Sequence, residues 1–171
     1  DRVRQSYPQS GSVFKPFIYA SAFSRGYNPS SLINDAPIIF EDENLETFWR
    51  PENYSGKFYG LTTLREALVQ SINIVSIKLL REIGIKKSSE TVDNFGFEVE
   101  RLPQDLSLAL GSGNFSPAEV ARGFSVFAND GMISDIHYVD KIKDKNGDII
   151  FDHSEIDDVN ISSISAFPWL N

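Results

Sequence analysis

The sequence lacks cysteine altogether and has few basic side chains for its 171 residues. Without cysteine the chain has no disulfide bond, no catalytic thiolate and no cysteine-ligated zinc, although exported and cytosolic locations both stay open. The 16 Lys and Arg residues are outnumbered by 24 Asp and Glu residues, which gives a net charge of -8. Because an acidic chain of this kind does not attract phosphate backbones, we expect no nucleic-acid partner.

The sequence also lacks a long apolar run and a targeting segment. No stretch reaches the ~18 consecutive apolar residues of a membrane-spanning helix, and the first residues, DRVRQSYPQS, are polar. The chain does not begin with Met, and its tail, SISAFPWLN, has no capping or turn pattern that closes a domain. Since 41% of the residues are apolar, we expect a single unit over residues 1–171 that is incomplete at both ends.

Helices are predicted in the first half of the chain from apolar spacing and from capping signals. The apolar residues after Ser12 follow a helical stripe, so a helix begins near Ser12, with Pro16 tolerated in its first turn. Thr63 and Glu66 form a capping-box pattern that opens another helix, and the helix after it ends at Gly84.

Between and after these helices the pattern changes. Residues 25–60 are rich in Gly, Pro, Asn and Ser, which predicts a long surface excursion with short strands, and the acidic run at 41–46 is interpreted as a solvated loop. A short helix is expected over 88–95. The sequence Ser-Pro-Ala-Glu from Ser116 combines an N-cap, a first-turn proline and a capping-box glutamate, so it predicts a helix over 117–129.

The sequence Lys145-Asn146-Gly147 lies between two strand-like runs. Asn-Gly is the strongest short signal for a hairpin turn, so one β-hairpin is expected near 135–152. His137 and His153 lie on or beside this hairpin without a third ligand at metal spacing. We interpret both histidines as structural or solvated and propose no metal.

A serine and a lysine three residues apart form the first candidate for chemistry. In Ser12-Val13-Phe14-Lys15 both polar side chains share one helix face, and a nucleophilic serine needs a base within reach. Phe14 and Phe17 would desolvate the amine and lower the pKa of Lys15, so that it could accept the Ser12 proton. Taken alone the pair is a weak signal, because an N-cap serine followed by a solvated lysine gives the same pattern.

A second element strengthens this interpretation. Ser71-Ile72-Asn73 lies between two predicted helices, where a polar junction could face the first helix. Ser71 would then relay a proton, and Asn73 would bind a substrate amide. Ser-x-x-Lys followed by a Ser-x-Asn element is typical of penicillin-binding proteins and class A β-lactamases.

The surrounding sequence resembles the transpeptidase domain of class A, bifunctional penicillin-binding proteins of the 1A kind. The resemblance runs from about residue 4 to residue 150. Its blocks are GSVFKPFIYASA, NDAPIIF, FWRPENYSGKFYGLTTLREALVQSINIVSIKLL, IGI, FGF, LPQDLSLALGSG and SPAEVARGFSVFANDG.

The resemblance implies an α+β fold: the helix-rich lobe of the penicillin-binding protein or serine β-lactamase-like transpeptidase fold, with the central sheet largely missing. It implies Ser12 as the acylated nucleophile, Lys15 as general base, Ser71 as proton relay and Asn73 as a substrate ligand. The expected reaction is D,D-transpeptidation of peptidoglycan stem peptides, without a cofactor and blocked covalently by β-lactam antibiotics. The full-length protein would carry an upstream glycosyltransferase domain and a membrane anchor, on the periplasmic face of the cytoplasmic membrane.

The chain departs from the family pattern in two places. The family usually has a proline just before the nucleophile, where this chain reads Gln9-Ser10-Gly11, and we expect only an altered entry turn. The Lys-Thr-Gly strand of the family is absent, since its nearest counterpart, at Lys145, is explained by the hairpin turn. In the family that strand lies downstream of Asn171. Because it supplies an oxyanion donor, we expect little activity from this chain alone.

Alternatives of other kinds stay open at this stage. A β-lactamase or D,D-carboxypeptidase of the same fold would need a group that activates water. No glutamate in the sequence is identifiable as that group. A catalytically silent binding or scaffold module would use the same helices to dock a partner. The Gly111-Ser112-Gly113 block lacks the lysine of a phosphate loop, and the resemblance makes it a structural turn.

Overall fold

A computed structural model of the chain describes residues 1–42 and 47–153. This part of the chain has an α+β fold rich in helices, as expected, and its strands form three small two-stranded sheets. The α-helices are Arg2–Gln5 (α1), Lys15–Phe23 (α2), Leu64–Val69 (α3), Asn73–Ile83 (α4), Ile85–Asp93 (α5) and Pro117–Ala128 (α6). The strands are Leu32–Asp35 (β1), Phe40–Asp42 (β2), Thr47–Trp49 (β3), Gly60–Thr63 (β4), Lys141–Lys143 (β5) and Ile149–Asp152 (β6). Among the described residues no helix has the length and apolar character needed to cross a membrane.

Helix α2 lies at the centre of the core and packs against α4 and α5. Around its start, phenylalanine rings pack edge to face and in stacks. The ring centroids of Phe17 and Phe97 lie 4.9 Å apart, and those of Phe14 and Phe97 lie 5.2 Å apart. Each fully buried aromatic ring contributes roughly 2 kcal/mol through burial, with a further fraction from ring geometry. The aromatic cluster therefore fixes the first turn of α2.

Residues 25–60 contain the expected short strands, but part of the prediction for this segment is wrong. β1 pairs antiparallel with β4, and β2 pairs antiparallel with β3. Asp35 and Asn53 are buried, with exposed fractions of 1% and 6%, although the segment was predicted to lie at the surface. The reason is that the segment folds back onto the N-terminus of α4, where both side chains find hydrogen-bond partners. Residues 43–46 of the acidic run lie outside the described residues.

The local signals locate most element boundaries. α4 ends before Gly84, whose N–H donates to Leu80 O, as predicted. The short helix α5 begins at Ile85, earlier than predicted, because Gly84 ends one helix and directly precedes the next. The hairpin β5–β6 is confirmed, and Gly147 adopts a φ of +92° in its turn. Beside the hairpin the rings of His137 and His153 stack with centroids 3.7 Å apart.

Helix α6 begins with a complete capping box. Ser116 Oγ accepts from Glu119 N at 3.2 Å, and Glu119 Oε2 accepts from Ser116 N at 2.6 Å. Both bonds satisfy N–H groups that have no partner within the helix. The predicted helix over 117–129 is confirmed with a C-terminal difference of one residue.

We expect the Ser116→Ala substitution to lower the free energy of unfolding by about 1 kcal/mol, since the cap is lost and Glu119 N loses its acceptor. Urea unfolding followed by circular dichroism measures this change. Ser116→Thr keeps an acceptor oxygen and serves as the control, with a smaller loss. Equal stability of the Ser116→Ala variant and the native chain would contradict a stabilising role for the box.

Candidate functional site

Ser12 lies in a single 3₁₀ turn, Gly11–Phe14, that leads directly into α2. The predicted helix start is therefore correct in place, but its first turn is tighter than an α-helix. Side chains three residues apart eclipse each other in a 3₁₀ turn, so Ser12 and Lys15 lie on one face. The backbone N–H of Lys15 donates to Ser12 O. Ser12 is exposed, whereas Lys15 is buried.

The amine of Lys15 is held by three acceptors from one distant segment. Nζ donates to Ser71 O at 2.7 Å, to Ser71 Oγ at 3.0 Å and to Asn73 Oδ1 at 2.8 Å. Burial lowers the pKa of Lys15 from 10.5 to about 8, in the direction expected from its apolar surroundings. The structure thus brings together Lys15, Ser71 and Asn73. Across the described residues, the hydrogen bonds of the Lys15 amine do not include one to Ser12 Oγ.

The acceptors come from the junction between α3 and α4, residues Ser71 to Asn73. Ser71 has a φ of +54°, an uncommon left-handed conformation for a residue with a side chain. Such backbone costs of order 1–3 kcal/mol, persists only where its surroundings enforce it, and is concentrated at functional sites. Ile72 N donates to Ala67 O at 2.8 Å, which closes the turn. The left-handed turn directs both oxygens of Ser71 toward Lys15.

Two residues behind this junction, Asn53 and Asp35, were not predicted from the sequence. Asn53 Oδ1 accepts from Asn73 N at 3.0 Å and from Ile74 N at 3.1 Å. Asn53 Nδ2 donates to both carboxylate oxygens of Asp35, at 2.9 Å each. One signal was present, because Ile72 occupies the N-cap of α4 and its apolar side chain cannot accept the first helical N–H groups. An acceptor from another segment was therefore needed.

The approach to Ser12 is fixed by the Gly111-Ser112-Gly113 turn, as the structural interpretation of that block predicts. Gly11 N donates to Gly111 O at 2.8 Å, and Ser10 N donates to Gly113 O at 3.0 Å. Ser10 Oγ lies 3.1 Å from each of the two glycine carbonyl oxygens. A proline at position 10 could not form the three bonds of Ser10, although the φ of -68° at Ser10 would suit it. The departure from the family pattern thus adds contacts to the entry turn.

The arrangement combines an exposed hydroxyl with a buried amine on the same face. An amine whose pKa lies near 8 has a substantial neutral fraction close to neutral pH, and a neutral amine can accept a proton. Within the parts of the chain that the structure describes, no group of three or more His, Cys, Asp or Glu side chains is placed to hold a metal ion.

The close approach of Gly11 and Gly111 gives a testable requirement for glycine. Gly111 has a φ of +71°, and a Cβ at this position would overlap Gly11 O. Gly56 has a similar φ of +66° but open space around it. We expect Gly56→Ala to lower the free energy of unfolding by about 1 kcal/mol through backbone strain, and Gly111→Ala by at least about 3 kcal/mol. Thermal unfolding of both variants tests this, and equal losses would contradict the close approach.

Known proteins resemble this chain in sequence and in structure. The profile of the penicillin binding protein transpeptidase domain matches residues 2–167. Penicillin-binding protein 1A of Pseudomonas aeruginosa is 42% identical over 151 residues, which cover 88% of this chain and 18% of that protein. Penicillin-binding protein 1A of Neisseria gonorrhoeae is 43% identical over 148 residues, which cover 86% of this chain and 18% of that protein. The chain therefore spans less than a fifth of the length of these curated relatives.

Among solved structures, the crystal structure of penicillin-binding protein 1A from Haemophilus influenzae is similar with a TM-score of 0.84 and 37% identity. The match covers 88% of this chain and 22% of that one. The family profile covers nearly the whole chain, and the relatives exceed 40% identity over most of it. The chain belongs to the penicillin binding protein transpeptidase domain family.

Proposed function

We propose that this chain is the helix-rich part of a peptidoglycan D,D-transpeptidase that acts through an acyl-enzyme on Ser12. The observation that carries the proposal is the buried amine of Lys15, which is bonded to Ser71 and Asn73 and shares a face with Ser12. A Ser-x-x-Lys pair that is merely an N-cap and a solvated lysine would leave the amine in water. Here the Lys15 side chain is only 1% exposed.

Lys15 acts as the general base in this proposal. In its neutral form Nζ keeps two N–H donors, which can bond Ser71 O and Asn73 Oδ1, and gains one lone pair. That lone pair can accept the Ser12 proton directly, or it can accept from Ser71 Oγ, 3.0 Å away, while Ser71 takes the Ser12 proton. Both routes end with a protonated Lys15, and in the second route Ser71 relays the proton.

The acyl transfer then follows from the activated hydroxyl. Ser12 Oγ attacks the carbonyl carbon between the two D-alanines of a stem peptide, and the C–N bond breaks. The leaving D-alanine amine takes the proton held by Lys15. An amine from a neighbouring stem peptide then attacks the ester carbonyl and loses a proton to Lys15, the C–O bond to Ser12 breaks, and Lys15 returns the proton to Ser12 Oγ. Ser12 Oγ attacks the carbonyl carbon of a β-lactam in the same way and opens its ring, but the product stays bound to Ser12 as an ester.

Asn73 binds the substrate amide in this account. Its Oδ1 accepts from Lys15, and its Nδ2 donates to Glu52 O at 2.9 Å. Because an amide nitrogen carries two hydrogens, one N–H of Asn73 stays available for a substrate carbonyl. The same amide thereby links the base to the substrate.

The remaining parts of the activity belong to the full-length protein. We propose that a Lys-Thr-Gly strand outside this chain completes the oxyanion site, and that an upstream glycosyltransferase domain and a membrane anchor accompany it. The partners would be stem peptides and β-lactams rather than nucleic acid, on the periplasmic face of the cytoplasmic membrane. A hydrolase of the same fold is less well supported, since the curated relatives described above are penicillin-binding proteins 1A.

The nucleophile is tested by labelling the full-length protein with a fluorescent penicillin, followed by mass spectrometry. We expect a stoichiometric adduct on the native protein and none on Ser12→Ala, with Ser6→Ala as a control that labels normally. The 171-residue chain alone should label weakly or not at all. An adduct on Ser12→Ala would reject Ser12 as the nucleophile. A folded native protein without any adduct would favour the silent scaffold.

The base is tested by the pH dependence of acylation. Because Lys15 must be neutral to accept a proton, the rate should rise about tenfold per pH unit up to about pH 8 and then level off. Stopped-flow measurement of penicillin acylation gives this profile. Lys15→Arg stays protonated and should lose at least about 10²-fold in rate. A native profile that is flat across this range would reject Lys15 as the base.

A further inference from the structure

We propose that Asn53, anchored by Asp35, is a positioning residue for acyl transfer that fixes the junction of Ser71 to Asn73 against the Lys15 amine. The inference rests on the proposed function, since it concerns the same site. Neither side chain touches the amine itself. Their effect passes through the backbone of Asn73 and through the start of α4.

The amide of Asn53 has a hydrogen-bond partner for every group and a single workable orientation. Its oxygen accepts from Asn73 N and Ile74 N, and its nitrogen donates to Asp35 and to Lys57 O, the last at 2.9 Å. A flipped amide would point its N–H groups at two N–H donors and its oxygen at a carboxylate. The Asn53 side chain therefore has one fixed orientation and connects β1 to the start of α4.

Helix α4 depends on the Asn53 side chain because the helix has no N-cap side chain of its own. Ile72 occupies the N-cap and its side chain offers no acceptor, so the N–H groups of the half-buried Asn73 and the buried Ile74 are satisfied by Asn53 instead. The neighbouring Ser71 is held in a left-handed conformation that does not persist without external contacts. The position of the junction is thus set from outside its own sequence.

Asp35 connects the Asn53 side chain to the β1–β4 sheet. Its carboxylate accepts from Asn53 Nδ2 and from Tyr59 N at 2.9 Å, and it is buried on the inner face of β1. Five residues past the junction, Lys78 Nζ donates to Asn34 O at 2.8 Å and to Ala36 O at 3.0 Å, on either side of Asp35. α4 is therefore attached to β1 in two places, through Asn53 at its first turn and through Lys78 farther along, and the β1–β4 sheet fixes the position of the helix.

The consequence for Lys15 follows from the three acceptors it uses. All three belong to the junction, so a shift of the junction removes them together and admits water to the amine. A hydrated amine is protonated more readily than a dry one. A displaced junction should accordingly move the acylation profile to higher pH, whereas a loss of global stability alone would lower the amount of active protein without moving the midpoint.

The test is the pH profile of penicillin acylation in the full-length protein. Asn53→Asp places two carboxylates face to face and should slow acylation at neutral pH at least about tenfold, with the midpoint shifted upward by about one pH unit. The double variant Asp35→Asn/Asn53→Asp restores a carboxylate facing an amide and should recover most of both effects. Asn34→Ala, an exposed asparagine beside Asp35, is the matched control and should leave the profile unchanged.

Asp35→Asn alone keeps an acceptor for Tyr59 N and weakens the charge-assisted bond to Asn53, so a smaller shift in the same direction is expected. If Asn53→Asp does not fold, the pH profile of Asp35→Asn tests the positioning role instead. A profile that stays in place in the folded variants, or a double variant no better than Asn53→Asp, overturns the positioning role. A native protein that is never acylated would instead overturn the proposed function, so the two failures are distinguishable.

Discussion

Burial of a lysine amine is unfavourable unless acceptors surround it, and this constraint organises the whole site. The Lys15 side chain enters a core fixed by phenylalanine rings, and its amine ends at the junction between α3 and α4. Desolvation brings its pKa to about 8, while the three acceptors keep the amine in one place. A solvated lysine would have neither property.

The junction and the turn that contains Ser12 are each held by a different kind of contact. Backbone hydrogen bonds tie the turn before Ser12 to the Gly111–Gly113 turn, where only glycine permits so close an approach. A side-chain amide, Asn53, ties the junction to β1. Together these contacts hold the turn that carries Ser12 and the junction that binds the Lys15 amine. The proposed chemistry therefore depends on residues that never meet the substrate.

Local signals in the sequence predicted much of this fold. The capping box at Ser116, the end of α4 at Gly84 and the Asn-Gly hairpin each depend on neighbouring residues, and the structure confirms all three. The spacing of Ser12 and Lys15 predicted their shared face. The grouping of Ser71 and Asn73 with Lys15 came from the family resemblance, and the hydrogen bonds of the amine agree with it.

The remainder could not be predicted because it depends on contacts distant in sequence. Nothing near Asn53 shows that its amide would cap a helix that begins twenty residues later, or that Asp35 would be buried to hold it. The 3₁₀ turn at Ser12 begins at Gly11, whose N–H bonds to Gly111 O a hundred residues away, and no local pattern encodes that contact. Residues that position the site are harder to find in a sequence than residues that act in it. Their only sequence signal lies at another position, here Ile72, whose apolar side chain leaves the first N–H groups of α4 without a local acceptor.

The pKa of the Lys15 amine tests the central claim most directly. Nuclear magnetic resonance of the chain with isotope-labelled lysine follows each amine through a pH titration, and Lys15→Arg identifies the signal. The account predicts a midpoint near 8, well below the ordinary value of 10.5. A midpoint at the ordinary value would show a solvated amine and would contradict the proposed role of Lys15 as the base.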